Sequence, residues 1–260
     1  MQYTRFLVLG DSFSEGMSDE IVNGNYRGWA DRVADVLAKQ TPTFKYANFA
    51  IRGKLVQQVL EDQVPQAVPL IEGPQTLVSF HAGANDALRP NYDHDAVRNA
   101  YIKSVTKLVE SGATVMLFTV LEKNGSGGKA SAMWEERMST FNKIVREVAE
   151  KFNLLVMDAS MDPDSSNPNL LAFDRLHLNA AGHYRVAQAV LEHIGAPFDP
   201  SWREPVVAPK KFPWIIRTLI TILWVVTFVL PWIWRRIRGR SSGDGRSAKY
   251  ASLTSWPPAQ

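Results

Sequence analysis

The chain has 260 residues, 45% hydrophobic and none of them cysteine. That length holds one full α/β domain plus an appendage, and the absence of thiols excludes disulfides, thiolate catalysis and Cys-type metal sites. Of the formal charge of +3, residues 202–260 carry +8 and residues 1–201 carry −5, so the basic excess belongs to the tail; no binding module accompanies it, and no nucleic-acid partner is expected.

The N-terminal apolar run Phe6–Leu9 is too short for a signal core and leads straight into a functional motif. No secretion signal is therefore expected. Apolar segments then alternate with helix-period segments, the pattern of a parallel βαβ sheet. A first strand, Arg5–Leu9, ends in Gly10-Asp11-Ser12. A helix near Trp29–Lys39 and a strand at Phe44–Phe49 follow, and Gly53 lies in the next loop. A helix over Leu55–Val64 leads to a strand at Thr76–Phe80, which ends in Gly83-Ala84-Asn85-Asp86. The helix Asp93–Glu110 has Asp93 at its N-cap and Gly112 at its C-terminal stop.

A strand at Thr114–Val120 is followed by a loop near Glu122–Ser131, whose Asn124-Gly125-Ser126-Gly127-Gly128 reads as a flexible surface excursion. A helix over Ala132–Lys151 and a strand over Leu154–Asp158 complete the alternation. The irregular stretch Met161–Leu170 precedes Asp174-Arg175-Leu176-His177 closely enough to wall the same site. A last helix runs from Asn179 to about His193.

These motifs supply the parts of acyl transfer through serine. Ser12 follows a strand at the carboxyl edge, where ligands bind in open parallel sheets; alone, it reads more readily as a helix N-cap. His177 tips the balance, because a base must take the serine proton. Asp174, three residues earlier, can hold the imidazole tautomer. His183, inside the last helix, is a rival base with an expected structural role, and His81 is a minor candidate. Gly53 N–H, the Asn85 amide and Ser12 N–H form a candidate set of oxyanion donors, although turn roles for Gly53 and Asn85 stay open. Asp11 and Asp86 read as hydrogen-bonding loop carboxylates. No metal-ligand spacing and no phosphate-binding glycine loop follows a strand, so neither metal nor cofactor is expected.

With these residues in order, the chain resembles the SGNH hydrolases of the GDSL esterase/lipase family, over residues 1–200. The matching positions are Gly10-Asp11-Ser12-Phe13-Ser14-Glu15-Gly16, Gly53, Gly83-Ala84-Asn85-Asp86 and Asp174-Arg175-Leu176-His177-Leu178. Phe13 stands where the family name has leucine. The resemblance implies a three-layer α/β/α fold with a five-stranded parallel sheet in the order 2-1-3-4-5. It also implies Ser12 as nucleophile, His177 as base, Asp174 as its orienter, and Ser12, Gly53 and Asn85 as the oxyanion hole. The expected substrate is a small-molecule, lipid or carbohydrate ester; the family's fold says little about which. An acyltransferase using the same site is the alternative, and a non-catalytic membrane-associated protein a more distant one. Leu88-Arg89-Pro90 and the run from Pro231 to Asp244 resemble an actinobacterial subset, with Arg89 a candidate for the pocket edge.

Residues 201–260 read as a Pro-containing linker, a hydrophobic Trp-rich helix at about 212–238, and a basic disordered tail, Ser241–Gln260. Trp214, Trp224, Trp232 and Trp234 with flanking lysines and arginines suit a membrane interface. Packing on protein is the equal alternative, and a full span ranks below both. The expected location is cytoplasmic, with this helix the candidate for peripheral contact.

Overall fold

The computed structural model describes residues 2–122 and 129–258, the side chains of 129–131 excepted. The glycine-rich segment 124–128 lies outside the described residues. The alternation read from the sequence is present: β1 (Arg5–Gly10), α1 (Ser12–Glu15), a small hairpin of β2 (Ile21–Val22) and β3 (Asn25–Tyr26), α2 (Gly28–Gln40), β4 (Lys45–Asn48) and a helical segment α3 (56–67) with a π turn at its centre. Then come β5 (Thr76–His81), α4 (Ala84–Ala87), α5 (His94–Glu110), β6 (Thr114–Phe118), α6 (Lys129–Phe152), β7 (Leu155–Met157) and α7 (Ala180–His193). Two further elements, α8 (Trp214–Ile237) and β8 (Tyr250–Ser255), occupy the tail.

The main sheet has the order β7-β6-β5-β1-β4-β8. Its first five strands are parallel, in the sequence order expected. β1 is central and apolar on both faces, as a strand covered by helices on each side must be. Side chains alternate along it. Leu7 and Leu9 point into one core with Phe80, Tyr101 and Phe141, under α3, α5 and α6. Phe6 and Val8 point into the other with Trp29, Met116 and Leu191, under α2 and α7. Local signals hold the helix ends: Asp93 Oδ1 accepts from Ala96 N at 3.0 Å, and Asn179 Oδ1 accepts from Gly182 N at 3.0 Å. Gly112, at φ +86°, stops α5.

The tail departs from expectation. Residues 250–255, read as part of a disordered segment, form β8 antiparallel to β4, with Lys45 opposite Ser255 and Tyr46 opposite Thr254. Lys249 and Trp256 anchor it. Lys249 Nζ reaches buried Asp31 Oδ1 at 2.8 Å and also donates to the carbonyls of Tyr26 and Arg27. The Trp256 ring packs on Tyr46, and its Nε1 donates to Asp35 Oδ1 at 2.8 Å. The free edge of β4 and a buried carboxylate supply partners that the tail's own polar, glycine- and serine-containing composition does not reveal.

Helix α8 is long and apolar enough, by length and composition, to cross a membrane. Here it lies along the α/β domain. Its inner side is half-buried through Trp224, Phe228 and Trp232. Its outer side exposes Ile215, Leu219, Ile222, Val226, Leu230, Ile233 and Ile237, a stripe at helical spacing.

Candidate active site

The carboxyl edge of β1 is shaped by Gly10. At φ +144°, a Cβ there would lie 2.2 Å from the His81 carbonyl oxygen, so the chain can turn against β5 only with glycine. The Gln63 side chain pins this turn from both sides, accepting from Gly10 N at 2.7 Å and donating to Gly10 O at 2.9 Å. Nothing in the spacing of Gln63 announces that role. Asp11 caps α1 by accepting from Phe13 N, which leaves Ser12 at the first helical position. The N–H groups of a helix's first turn have no intrahelical partner.

Ser12 and His177, 165 residues apart, meet with Oγ 2.9 Å from Nε2. The loop carrying His177 is held by the Leu171–Leu178 bridge and by Ala172 N donating to His177 O at 2.8 Å. Asp174 wraps its own loop. Its Oδ1 accepts from Leu176 N and His177 N, each at 2.9 Å, and its Oδ2 lies 2.6 Å from His177 Nδ1. Burial pushes the Asp174 carboxyl up, but the His177 ring and the two backbone N–H groups outweigh it and hold it below the usual carboxylate value. An ionised carboxylate only accepts, so Nδ1 carries the hydrogen and Nε2 is left as the acceptor facing Ser12.

The rival histidines are placed elsewhere. His183 is buried in α7 with Nε2 donating to Met17 O at 3.1 Å; burial brings its pKa down to about 4, so it stays neutral. The His81 ring packs against Phe13, tilted at 45° with centroids 4.7 Å apart, and sits 3.3 Å from Asp11 Oδ1, off the hydrogen-bond direction. Asp11 also accepts from Asn85 Nδ2 at 2.9 Å, which ties the Asn85 amide beside Ser12; a longer bond of 3.2 Å runs from Nδ2 to Lys54 O. Asp86 accepts from Val56 N at 3.0 Å, and burial raises its carboxyl to about 6. Among the described residues no acidic or histidine group is arranged to hold a metal ion.

The loop bearing Gly53 is locked to α1: Glu15 accepts from Arg52 N at 2.6 Å and takes the Arg52 guanidinium in an ion pair. Gly53 adopts φ +75°, and a Cβ there would fall 2.1 Å from Ser241 Oγ. Gly243 is packed as tightly, since a Cβ on it would stand 2.0 Å from Arg52 O. The C-terminal loop thus seats directly on the Gly53 turn. α8 reaches the site as well: Trp224 Nε1 donates to Asp174 O at 3.0 Å, and the Arg175 guanidinium lies 4.7 Å over the Trp224 ring. Packing of this helix on protein was one of the two readings of the sequence, but no local pattern singled out Trp224 or its partner Asp174.

Ser12 and His177 open into a cleft of about 870 Å³. Leu121, Trp134, Met138, Val156 and Met161 give it an apolar lining. The stretch 161–170 contributes Met161, Asp162, Pro163, Ser165 and Leu170 to the wall, as its position suggested.

Residues 8–185 match the sequence model of the GDSL-like lipase/acylhydrolase family. Among curated proteins no relative matches the chain in sequence. Solved structures with the same fold include an Axe2 variant, an acetyl xylan esterase from Geobacillus stearothermophilus (20% identity, 77% of this chain and 100% of that one, TM-score 0.62). The psychrotrophic esterase EstA from Pseudoalteromonas sp. is similar at 20% identity over 74% of this chain and 97% of its own, with TM-score 0.55. LAE5, an alpha/beta hydrolase enzyme from the metagenome of Lake Arreo, is similar at 20% identity, 74% and 95% coverage and TM-score 0.59.

Proposed function

This chain belongs to the GDSL-like lipase/acylhydrolase family and is a carboxylic ester hydrolase, and we propose that it works through an acyl-enzyme formed on Ser12. The observation that carries this reading is the continuous line from Ser12 Oγ to His177 Nε2 at 2.9 Å and from His177 Nδ1 to Asp174 Oδ2 at 2.6 Å.

Ser12 Oγ attacks the ester carbonyl while His177 Nε2 takes its proton, and Asp174 stabilises the imidazolium formed. The negative charge on the carbonyl oxygen is held by Ser12 N–H, Gly53 N–H and the Asn85 amide, whose longer bond to Lys54 O is the one that gives way. Each such donor is worth about 2.7–4 kcal/mol in the transition state. His177 returns the proton to the departing alcohol, leaving the acyl group on Ser12. Water then attacks, giving its proton to His177, and the carboxylic acid leaves as Ser12 recovers its hydrogen. Structures of catalytic mutants of Axe2 alter a serine, an aspartate and a histidine, the same three residue types. The size and apolar walls of the cleft favour medium to long acyl groups.

The reading extends to location. The outward apolar stripe of α8, flanked by Lys210, Lys211, Arg235 and Arg238, suits the surface of an anionic bilayer. A helix lying in the interface fits better than a span, because Lys249 and β8 return to the same domain. On this reading the protein is cytoplasmic and peripheral to the membrane.

Hydrolysis of chromogenic acyl esters from acetyl to palmitoyl by wild type, Ser12→Ala and His177→Ala tests the chemistry. A loss of about 10³-fold or more in both variants is expected. Turnover that survives Ser12→Ala refutes the acyl-enzyme. Added alcohols that divert the acyl group into new esters faster than water does would favour acyl transfer. Flotation of the full chain on anionic vesicles should fall with Leu219→Glu/Val226→Glu; equal flotation of both refutes the membrane reading.

A further inference from the structure

The turn that carries Asp174 is strained and is held by a residue from the tail. Arg175 adopts φ +60°, a left-handed conformation that a side chain enters at a cost and that persists only where surrounding contacts enforce it. The peptide between Asp174 and Arg175 is pinned at both ends. Its N–H, on Arg175, donates to Ala172 O at 3.0 Å, and its carbonyl, on Asp174, accepts from Trp224 Nε1 at 3.0 Å. The Arg175 guanidinium lies over the ring of the same tryptophan, 4.7 Å from its centroid.

Arg175 could relax toward negative φ in two ways. Rotation of the peptide itself breaks both of its hydrogen bonds. Rotation of the chain beyond it swings His177 relative to Asp174 and moves the Arg175 side chain off the indole. Trp224 opposes the first through its N–H and the second through its ring face. Either movement would open the 2.6 Å contact between Asp174 Oδ2 and His177 Nδ1.

Trp224 is itself held in place. Before α8, Val206 N donates to Asp164 Oδ2 at 2.9 Å, and Val207 O accepts from Asn169 Nδ2 at 2.8 Å. The carbonyl of Asn169 accepts in turn from Asn179 Nδ2 at 2.8 Å, so the entry to α8 is tied to the chain on both sides of the Asp174 turn. Beyond α8, Ser241 Oγ donates to Gly53 O at 3.3 Å. Ile222 and Val226, two positions either side of Trp224, are exposed. The outer stripe therefore stays open to a lipid surface while the indole faces the turn.

We propose that Trp224 is a positioning residue for ester hydrolysis: its indole N–H and ring face hold the Asp174–Arg175 peptide and so keep the Asp174 carboxylate on His177 Nδ1. It touches no reacting atom and acts through Asp174. Helix α8 is then part of the hydrolytic apparatus as well as a lipid-facing surface. This rests on the acyl-enzyme reading for the catalytic role of Asp174, but not for the contact that Trp224 enforces.

Two readouts on the full chain test this: steady-state hydrolysis of a water-soluble ester, and the far-downfield proton signal of the carboxylate-bound His177 Nδ1–H, assigned by its loss in His177→Ala. Trp224→Phe keeps an aromatic face and removes the donor. Its kcat should fall about ten-fold, the scale of one lost hydrogen bond, with KM within about two-fold of wild type. Trp224→Leu removes donor and face together, and kcat should fall about 10²-fold, as small misplacements of a catalytic group do. The Nδ1–H signal should weaken in the same order, at temperatures well below melting. Thr227→Ala, on the same helix with a hydroxyl bonded back to Leu223 O, should match wild type in both readouts.

A merely structural role would lower the melting temperature without moving the Nδ1–H signal. A Trp224→Phe kcat within about two-fold of wild type, or a loss that leaves that signal unchanged, overturns the positioning role. The signal is read in the Ser12→Ala background as well. Hydrolysis that survives Ser12→Ala while the signal still depends on Trp224 would sink the acyl-enzyme and leave Trp224 holding Asp174 on His177.

Discussion

Lys249→Ala tests whether the C-terminal strand is part of the fold. The Lys249 side chain is 3% exposed and that of Asp31 is 5% exposed. The ammonium satisfies Asp31 Oδ1 at 2.8 Å, Tyr26 O at 2.9 Å and Arg27 O at 2.8 Å. Removing it leaves Asp31 with the Tyr46 hydroxyl at 2.8 Å as a remaining partner. Breaking a buried pair from one side costs about 3–5 kcal/mol, most of it the stranded charge. The cost should depend on pH with a definite sign. Burial pushes Asp31 up to about 6 even with Lys249 beside it, and Asp35 adds to the rise; without the lysine it goes higher.

A raised carboxyl favours the folded state at low pH and loses that advantage as pH climbs through the folded value. Urea unfolding should therefore show the Lys249→Ala deficit near its full size at about pH 8 and much reduced at about pH 4. Asp31→Asn/Lys249→Met, which leaves no buried charge, should regain most of the loss. A deficit below about 1 kcal/mol at pH 8, the scale of an exposed pair, or one that does not vary with pH, would refute the placement of β8 and its anchor.

Asp174→Asn should leave the site assembled but turn the imidazole to the wrong tautomer, lowering kcat by about 10³–10⁴-fold with little change in melting temperature; a loss below ten-fold would count against the orienting role. Gly10→Ala places a Cβ 2.2 Å from a backbone oxygen at φ +144°, so thermal unfolding should show a loss of at least about 1–3 kcal/mol. Burial raises the Asp158 carboxyl, but the Arg146 fork and the Ser160 bonds outweigh it and hold it below the usual carboxylate range. A depressed carboxyl contributes stability above its unfolded value and loses it as pH falls through the folded one. Arg146→Ala should thus cost less than about 1 kcal/mol near neutral pH, since Arg146 is partly exposed, and progressively less as pH falls below the unfolded carboxylate value, as urea unfolding at a series of pH values would show.

Much of this molecule was legible without coordinates, for reasons that are local. The five parallel strands read from Arg5, Phe44, Thr76, Thr114 and Leu154 correspond to β1, β4, β5, β6 and β7, with ends shifted by no more than two residues. Doubly buried strands must be continuously apolar, and that pattern survives in one dimension. Asp93, Asn179 and Gly112 mark helix ends because capping involves only neighbouring residues. The grouping of Gly10-Asp11-Ser12, Asn85 and Asp174-His177 was readable because each motif follows a strand or precedes a helix in order.

Contacts between distant segments were not readable in this way. The same residue types as His177 and His183 stand six positions apart; only the fold puts one against Ser12 and the other against the Met17 carbonyl. Gln63 is an ordinary helix glutamine until the sheet brings Gly10 to it. The segment 250–255 lacks the apolar density that announces a strand, since its partners are the edge of β4 and the carboxylate awaiting Lys249. Propensity, capping and turn strain act within a few residues and are written in the chain. Hydrogen-bond pairing and charge burial act across hundreds of residues, and only the folded arrangement selects their partners.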